Sequence, residues 1–269
     1  MDREPQILLT NDDGIKSPGL WAAAEALDEL GFVTVVAPRE QSSGAGRSFP
    51  SFYDGEITKE ILMVNGKEWT VHAVNGTPAM AVLFGAYSLI PGGADLVVSG
   101  INYGLNVGSG VTISGTVGAA LEGAAAGIPS LAISLETEKK YHASYSREIN
   151  FNTAGYFTRF FADKLLNKEM PLDVQVLKIE VPSDATPQTV WEVTRLSTKR
   201  FYQPTVPEEI AESGINSTGY EIAPDFDQSH PGTDSHAIIN QRIVSVTPLS
   251  LDLTSRVDLD DLKNILNQR

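Results

Sequence analysis

Read from its N-terminus, the chain alternates short, uniformly apolar runs with longer segments in which apolar residues recur at helical spacing. Residues 7–10 (ILLT) predict a strand. Residues 18–30 predict a helix, with Leu20, Ala23, Ala24, Leu27 and Leu30 near helical spacing and Gly31 ending it, and residues 33–37 predict a second strand. That is a βαβ unit, and strands apolar on both faces and joined through helices belong to a parallel sheet covered on both sides. Residues 63–64 and 69–74 predict a hairpin around Asn65-Gly66, and a helix opens after Thr77-Pro78 and runs to about residue 89. A strand at 95–99, a long glycine-rich loop to Gly115, a helix to about residue 126 and a strand at 130–134 follow. This alternation predicts an α/β fold: a Rossmann-like, three-layer, doubly wound and mostly parallel sheet.

The second half is less regular. Residues 150–167 predict a helix with Phe157, Phe160, Phe161 and Leu165 on one side; 174–181 and 243–246 predict strands, and 257–266 a short terminal helix with acids in its first turn. Residues 199–236 are rich in Pro, Gly, Ser and Asp and show no periodicity, so they read as loop, arm or hairpin. A single domain is expected over residues 1–269, its core at about 5–195 and 243–254.

Composition narrows the chemistry. A formal net charge of −14 argues against a nucleic-acid polymer as partner, since phosphate backbones are bound by clustered Lys and Arg. The absence of cysteine removes disulfides, thiolate metal sites and thiol nucleophiles, so any metal is left to oxygen or to the four histidines. No apolar run approaches the roughly 18 residues of a membrane span, and the N-terminus lacks a secretory pattern. A soluble, cytoplasmic protein with a small-molecule ligand is the expectation.

In doubly wound sheets ligands bind beyond the carboxyl ends of the strands. Four polar groups fall there: Asn11-Asp12-Asp13-Gly14 after the first strand, Gln41-Ser42-Ser43-Gly44 after the second, Gly100 to Asn106 after the fifth, and Ser114-Gly115-Thr116 at a helix start. Adjacent carboxylates near a low-dielectric sheet end raise each other's pKa unless a cation lies close, and only Lys16 is near in sequence. Either a divalent metal sits with them, in an all-oxygen set suited to Mg²⁺, Mn²⁺ or Ca²⁺, or one Asp caps the next helix and the other is solvated. Ser114-Gly115-Thr116 reads either as an anion site at a helix N-terminus or as an ordinary N-cap. Together the loops favour a phosphate held against a metal. His72 reads as structural; His142, His230 and His236 read as surface or interface residues, with a catalytic role for one as the alternative; and Lys199-Arg200 reads as a solvated pair or, from a neighbouring arm, as a contact to a substrate phosphate. No base-recognition element is evident.

These motifs in this order, from Ile7 to Gly14 with Pro18-Gly19, through Val35 to Pro38 with Ser43-Gly44, Val97 to Asn102 with Gly104 and Asn106, to Ser114 to Val117 with Glu122-Gly123, resemble the SurE family of survival proteins. A C-terminal echo lies in Gly232-Thr233-Asp234 and Val244 to Leu249. The resemblance implies a metal-dependent nucleotidase or phosphatase acting on nucleoside 5′- or 3′-monophosphates. It implies one Mg²⁺ or Mn²⁺ per subunit on Asp12, Asp13, Ser43 and Asn102, with Asp12 and Asp13 catalytic. It places substrate phosphate near Asn11, Gly44, Asn106, Ser114, Gly115 and Thr116. It also implies a homodimer or homotetramer that uses the C-terminal extension. The stretch 108–113 lacks the acidic residue and tyrosine that such proteins often carry there, and 201–229 matches poorly. Asp12 and Asp13 are not in a D-x-D pattern, which favours an activated water over direct attack by a carboxylate.

Overall fold

The computed structural model describes residues 3–142, 144–205, 219–223 and 230–268. Its first strands and helices are β1 (Gln6–Thr10), α1 (Pro18–Leu27), β2 (Phe32–Pro38), β3 (Ile57–Val64), β4 (Lys67–Val74), α2 (Pro78–Phe84), β5 (Leu96–Tyr103), α3 (Gly115–Ala125) and β6 (Ser130–Leu135). There follow α4 (Asn152–Asn167), β7 (Val176–Val181), β8 (Trp191–Val193), β9 (Tyr202–Thr205), β10 (Gly219–Ile222), α5 (Asp234–His236), β11 (Val244–Leu249) and α6 (Leu259–Asn267). Nine strands form one sheet in the order β3-β4-β2-β1-β5-β6-β7-β11-β8, and β9 and β10 pair separately. The sheet is parallel from β4 to β7, and antiparallel pairing joins β3 to β4 and β7 to β11. The doubly wound α/β expectation holds.

The central strand shows why both faces are covered. Successive side chains alternate, so Ile7 and Leu9 enter the core shared with α1 and α4, while Leu8 enters the opposite core with Val82 of α2 and Ala119 of α3. All three are fully buried, and each stabilises the fold by about 1.5–3 kcal/mol. The small residues of α3 let it lie close: a Cβ on Gly123 would approach the Val97 side chain to 2.7 Å.

Several details depart from the expectation. β3 starts at Ile57, six residues before the predicted run, and reaches β4 through a two-residue turn with Asn65 at φ 49° and Gly66 at φ 84°, the positive values a type I′ hairpin needs. Gly100, Ile101 and Asn102 are not loop: β5 continues to Tyr103, pairing with β6 again at Asn102–Ser134 after a register shift. β8 is exposed along its length and carried no alternation to announce it. The aperiodic arm contains the β9–β10 ribbon. Among the described residues no helix is long and apolar enough to cross a membrane.

Candidate active site

The strand order reverses on either side of β1, so β1 and β5 flank a topological switch point, where sheets of this kind open a crevice. Asp12 and Asp13 leave the end of β1 into it. Asn11 makes their turn: its side-chain oxygen accepts from Gly14 N–H at 3.1 Å and its amide donates to the Gly14 carbonyl at 3.1 Å. Gly14 follows at φ 91°, a conformation that favours glycine. Asn11 therefore shapes the loop, and it does not line the cavity.

Both aspartates are tied to the loop after β2, and each also to a second element, α3 for Asp12 and β5 for Asp13. Asp12 Oδ1 accepts the Thr116 hydroxyl at 2.6 Å, and its carbonyl accepts Ser42 N–H at 2.7 Å. Asp13 accepts from Tyr103 N–H at 3.3 Å across the switch point and from Gln41 Nε2 at 3.2 Å. The two residues are 5% and 3% exposed. Burial pushes the Asp12 carboxyl up despite its hydrogen bonds, and burial together with the Asp12 charge pushes Asp13 well up. Among the described residues neither has an ion-pair partner, and Lys16 is exposed.

The remaining predicted residues are brought to the same crevice, with unequal roles. A cavity of about 520 Å³ is lined by Asp12, Ser43, Gly44, Asn102, Asn106 and Ser114. Asp13, Gly115 and Thr116 lie outside that lining. Ser114 caps α3, its hydroxyl oxygen accepting from Val117 N–H at 3.1 Å, so the N-cap reading is realised. The Thr116 hydroxyl is committed to Asp12, and Gly115 leaves room for that carboxylate: a Cβ there would lie 2.7 Å from Asp12 Cβ. Asn102 donates to the Gly104 carbonyl at 2.7 Å, which leaves its side-chain oxygen as a donor of electron pairs. Ser43 Oγ accepts from Gln41 Nε2 at 2.9 Å.

The oxygens of Asp12, Asp13, Ser43 and Asn102 are of the kind a hard divalent cation takes, and two buried neighbouring carboxylates are relieved either by a nearby cation or by protonation of one of them. No group of three or more His, Cys, Asp or Glu that could hold a metal occurs among the described residues. The hydroxyl and the amide are thus required to complete the set.

The far wall comes from the aperiodic arm and the 137–142 turn. Tyr202 and Tyr220 of the ribbon, His142 and the exposed Arg200 line it. His142, expected at a surface or interface, lies where the ribbon meets the 137–142 turn: its ring is partly buried, stacked at 6.1 Å on Tyr220 and edge-on to Tyr202 at 5.9 Å. Its Nε2 donates to the Thr137 carbonyl at 3.2 Å, and its Nδ1 lies 2.8 Å from the Tyr220 hydroxyl. Burial pushes its pKa down, which favours the neutral ring. Arg200 is exposed and sits on the cavity wall, a position compatible with both readings of the Lys199-Arg200 pair. No local signal marks these positions, which converge from the 137–142 turn and the aperiodic arm.

Comparison with known proteins bears on the whole chain. The family model described as survival protein SurE matches residues 7–203. The chain belongs to the SurE family. Within that family it is 42% identical over 261 residues to the 5′-nucleotidase SurE of Thermococcus gammatolerans, spanning 97% of this chain and 96% of the relative. It is 41% identical over 256 residues to the 5′-nucleotidase SurE of Archaeoglobus fulgidus, spanning 95% of each. The crystal structure of the SurE protein from Aquifex aeolicus superimposes with a TM-score of 0.74 at 34% identity, covering 98% of this chain and all of that one.

Proposed function

We propose that the chain is a metal-dependent phosphomonoesterase that hydrolyses nucleoside 5′- or 3′-monophosphates. The observation that carries this reading is the buried acid pair at the switch point, of which Asp12 lines one cavity opposite an aromatic wall of Tyr202, Tyr220 and His142 while Asp13 lies behind it. The acid end suits a phosphoryl group with its cation, and the aromatic end offers a flat apolar surface to a base. The relatives named 5′-nucleotidase SurE support the same substrate class.

Asp12, Asp13, Ser43 and Asn102 would hold Mg²⁺ or Mn²⁺. When bound, the ion supplies positive charge against the phosphoryl oxygens and makes water in the cavity more acidic. The chain's own groups do the rest. Asp12 is the carboxylate on the cavity wall, and Thr116 occupies its Oδ1, so Oδ2 takes a proton from the attacking water. The water oxygen bonds to phosphorus as the ester P–O bond breaks, and the departing alkoxide takes up a proton that Asp12 returns directly or through solvent water, which restores the carboxylate. The amide of Asn106 lines the cavity for the phosphoryl oxygens, while Ser114 holds the start of α3, whose first N–H groups at Gly115 and Thr116 bear on the Asp12 carboxylate.

α6 presents Leu259, Leu262, Ile265 and Leu266 to solvent in one chain, and this apolar set supports assembly of subunits into a homodimer or homotetramer. Sedimentation measures the mass.

The test is phosphate release from 5′- and 3′-nucleoside monophosphates and from a simple aryl phosphate, with Mg²⁺ or Mn²⁺ and with chelator. Release from nucleotides that chelator abolishes supports the reading. Equal rates on the aryl phosphate would instead mean a broad-specificity phosphatase, and binding without release a nucleotide-binding module.

A further inference from the structure

β7 carries two charged residues, Lys178 and Glu180, into the interior with no exposure at all. Lys178 Nζ lies 3.3 Å from Glu180 Oε1 and 3.1 Å from Asp234 Oδ2, so one ammonium serves two carboxylates. The other bonds of those carboxylates go to backbone. Glu180 Oε2 accepts Asn106 N–H at 2.9 Å, and Asp234 accepts Gly108 N–H at 3.0 Å and Ser197 N–H at 2.9 Å. Asn106 is held from its other end as well, its side-chain amide donating to Ser134 Oγ at 3.0 Å. None of Lys178, Glu180, Asp234 or Ser134 lines the cavity, whereas Asn106 does.

Stability does not account for this arrangement, because well-packed apolar residues commonly replace a buried ion group at no loss. What apolar residues cannot do is accept the N–H groups of residues 106 and 108. We infer that Glu180, locked by Lys178, is a positioning residue for the cavity: together with Ser134 it fixes the turn that presents the Asn106 amide to a phosphoryl group. Asp234 extends the same grip to Ser197, at the base of the strand pair that bears Tyr202 and Tyr220, so the two walls are registered through one buried charge group. The inference rests on the proposed function only in taking a phosphoryl group as what Asn106 meets.

The experiment measures the dissociation constant of inorganic phosphate for the full chain by calorimetry in the presence of Mn²⁺. Glu180→Leu removes the acceptor and weakens phosphate binding about tenfold, whereas Glu180→Gln, which keeps an acceptor while losing the charge, restores most of it. Ser134→Ala, a small change that leaves the ion group intact, weakens binding about threefold and covers the case in which Glu180→Leu fails to fold. A merely structural role would lower the number of competent sites and leave the dissociation constant unchanged. Wild-type affinity in Ser134→Ala, or equal losses in Glu180→Gln and Glu180→Leu, would overturn the inference. If the wild type binds phosphate but releases none from nucleotides, the nucleotidase reading falls and this one stands.

Discussion

The Thr116 hydroxyl donates to Oδ1 of Asp12 at 2.6 Å, joining the first turn of α3 to the end of β1 across 104 positions of chain. The bond orients one carboxylate of a pair that burial and mutual repulsion disfavour. Asp12→Asn keeps an oxygen for Thr116 and removes the repulsion toward Asp13. The expected outcome is an unchanged or raised melting temperature with phosphate release reduced by about 100-fold or more, the scale of losing a general base. Calorimetric melting and a release assay on the same preparation check it, and release at the wild-type rate would remove Asp12 from the mechanism.

Gly115 tests the same contact sterically. A methyl group there meets Asp12 Cβ at 2.7 Å and Oδ2 at 2.9 Å, and the nearest atoms belong to a residue held by buried bonds. Gly115→Ala gains helix propensity but overpacks the junction, for a net loss of about 1–3 kcal/mol. Turnover should fall by more than tenfold, since a displaced carboxylate costs about that much or more. Denaturant unfolding and kcat report the two effects separately.

The aromatic wall predicts a substrate-dependent defect. Tyr220→Ala removes the ring stacked on His142 and should raise KM for nucleoside monophosphates about tenfold, the scale of one base–aromatic contact. KM for a simple alkyl phosphate should stay near the wild-type value. Tyr220→Phe, which keeps the ring and loses only the hydroxyl bonded to His142, should behave like the wild type toward nucleotides. Equal losses on both substrates would show that the ribbon supports the phosphate end instead.

Arg242 sets an acid limit on stability. Burial raises the Glu136 carboxyl, but the Arg242 and Ser183 hydrogen bonds outweigh it and hold the group below its ordinary value of 4.5. A depressed folded-state value means that this stabilisation is present above pH 4.5 and is lost as pH falls through the folded value. Arg242→Met should therefore lower the melting temperature at neutral pH by about 2–4 °C, allowing for the partial exposure of the pair. The gap from wild type should close below pH 4.5, as thermal scans from pH 7 to pH 3 would show.

The legibility of this fold and site follows the range over which each signal acts. β1, β2 and β6 were readable because a strand buried on both faces is a local apolar run, and α3 because Ser114-Gly115 marks its start within the sequence itself. The acid pair could be placed at a strand end for the same reason. The Gly100–Asn102 segment was misread as loop because its pairing with Ser134 is non-local and a register shift interrupts it. Thr116 and Asn11 look alike as candidate phosphate ligands in sequence, yet one is bonded to Asp12 and the other to its own turn. His142, Tyr202 and Tyr220 carried no periodic signal, since their shared surface exists only once a separate ribbon packs against the 137–142 turn.

The ribbon of β9 and β10 hydrogen-bonds as its own two-stranded sheet, while the carboxylates hang from the nine-stranded one. On the proposed function, admission and cleavage fall to different pieces of chain. Grafting another ribbon between the same anchor points would retune which molecule enters and leave the hydrolytic apparatus where it stands.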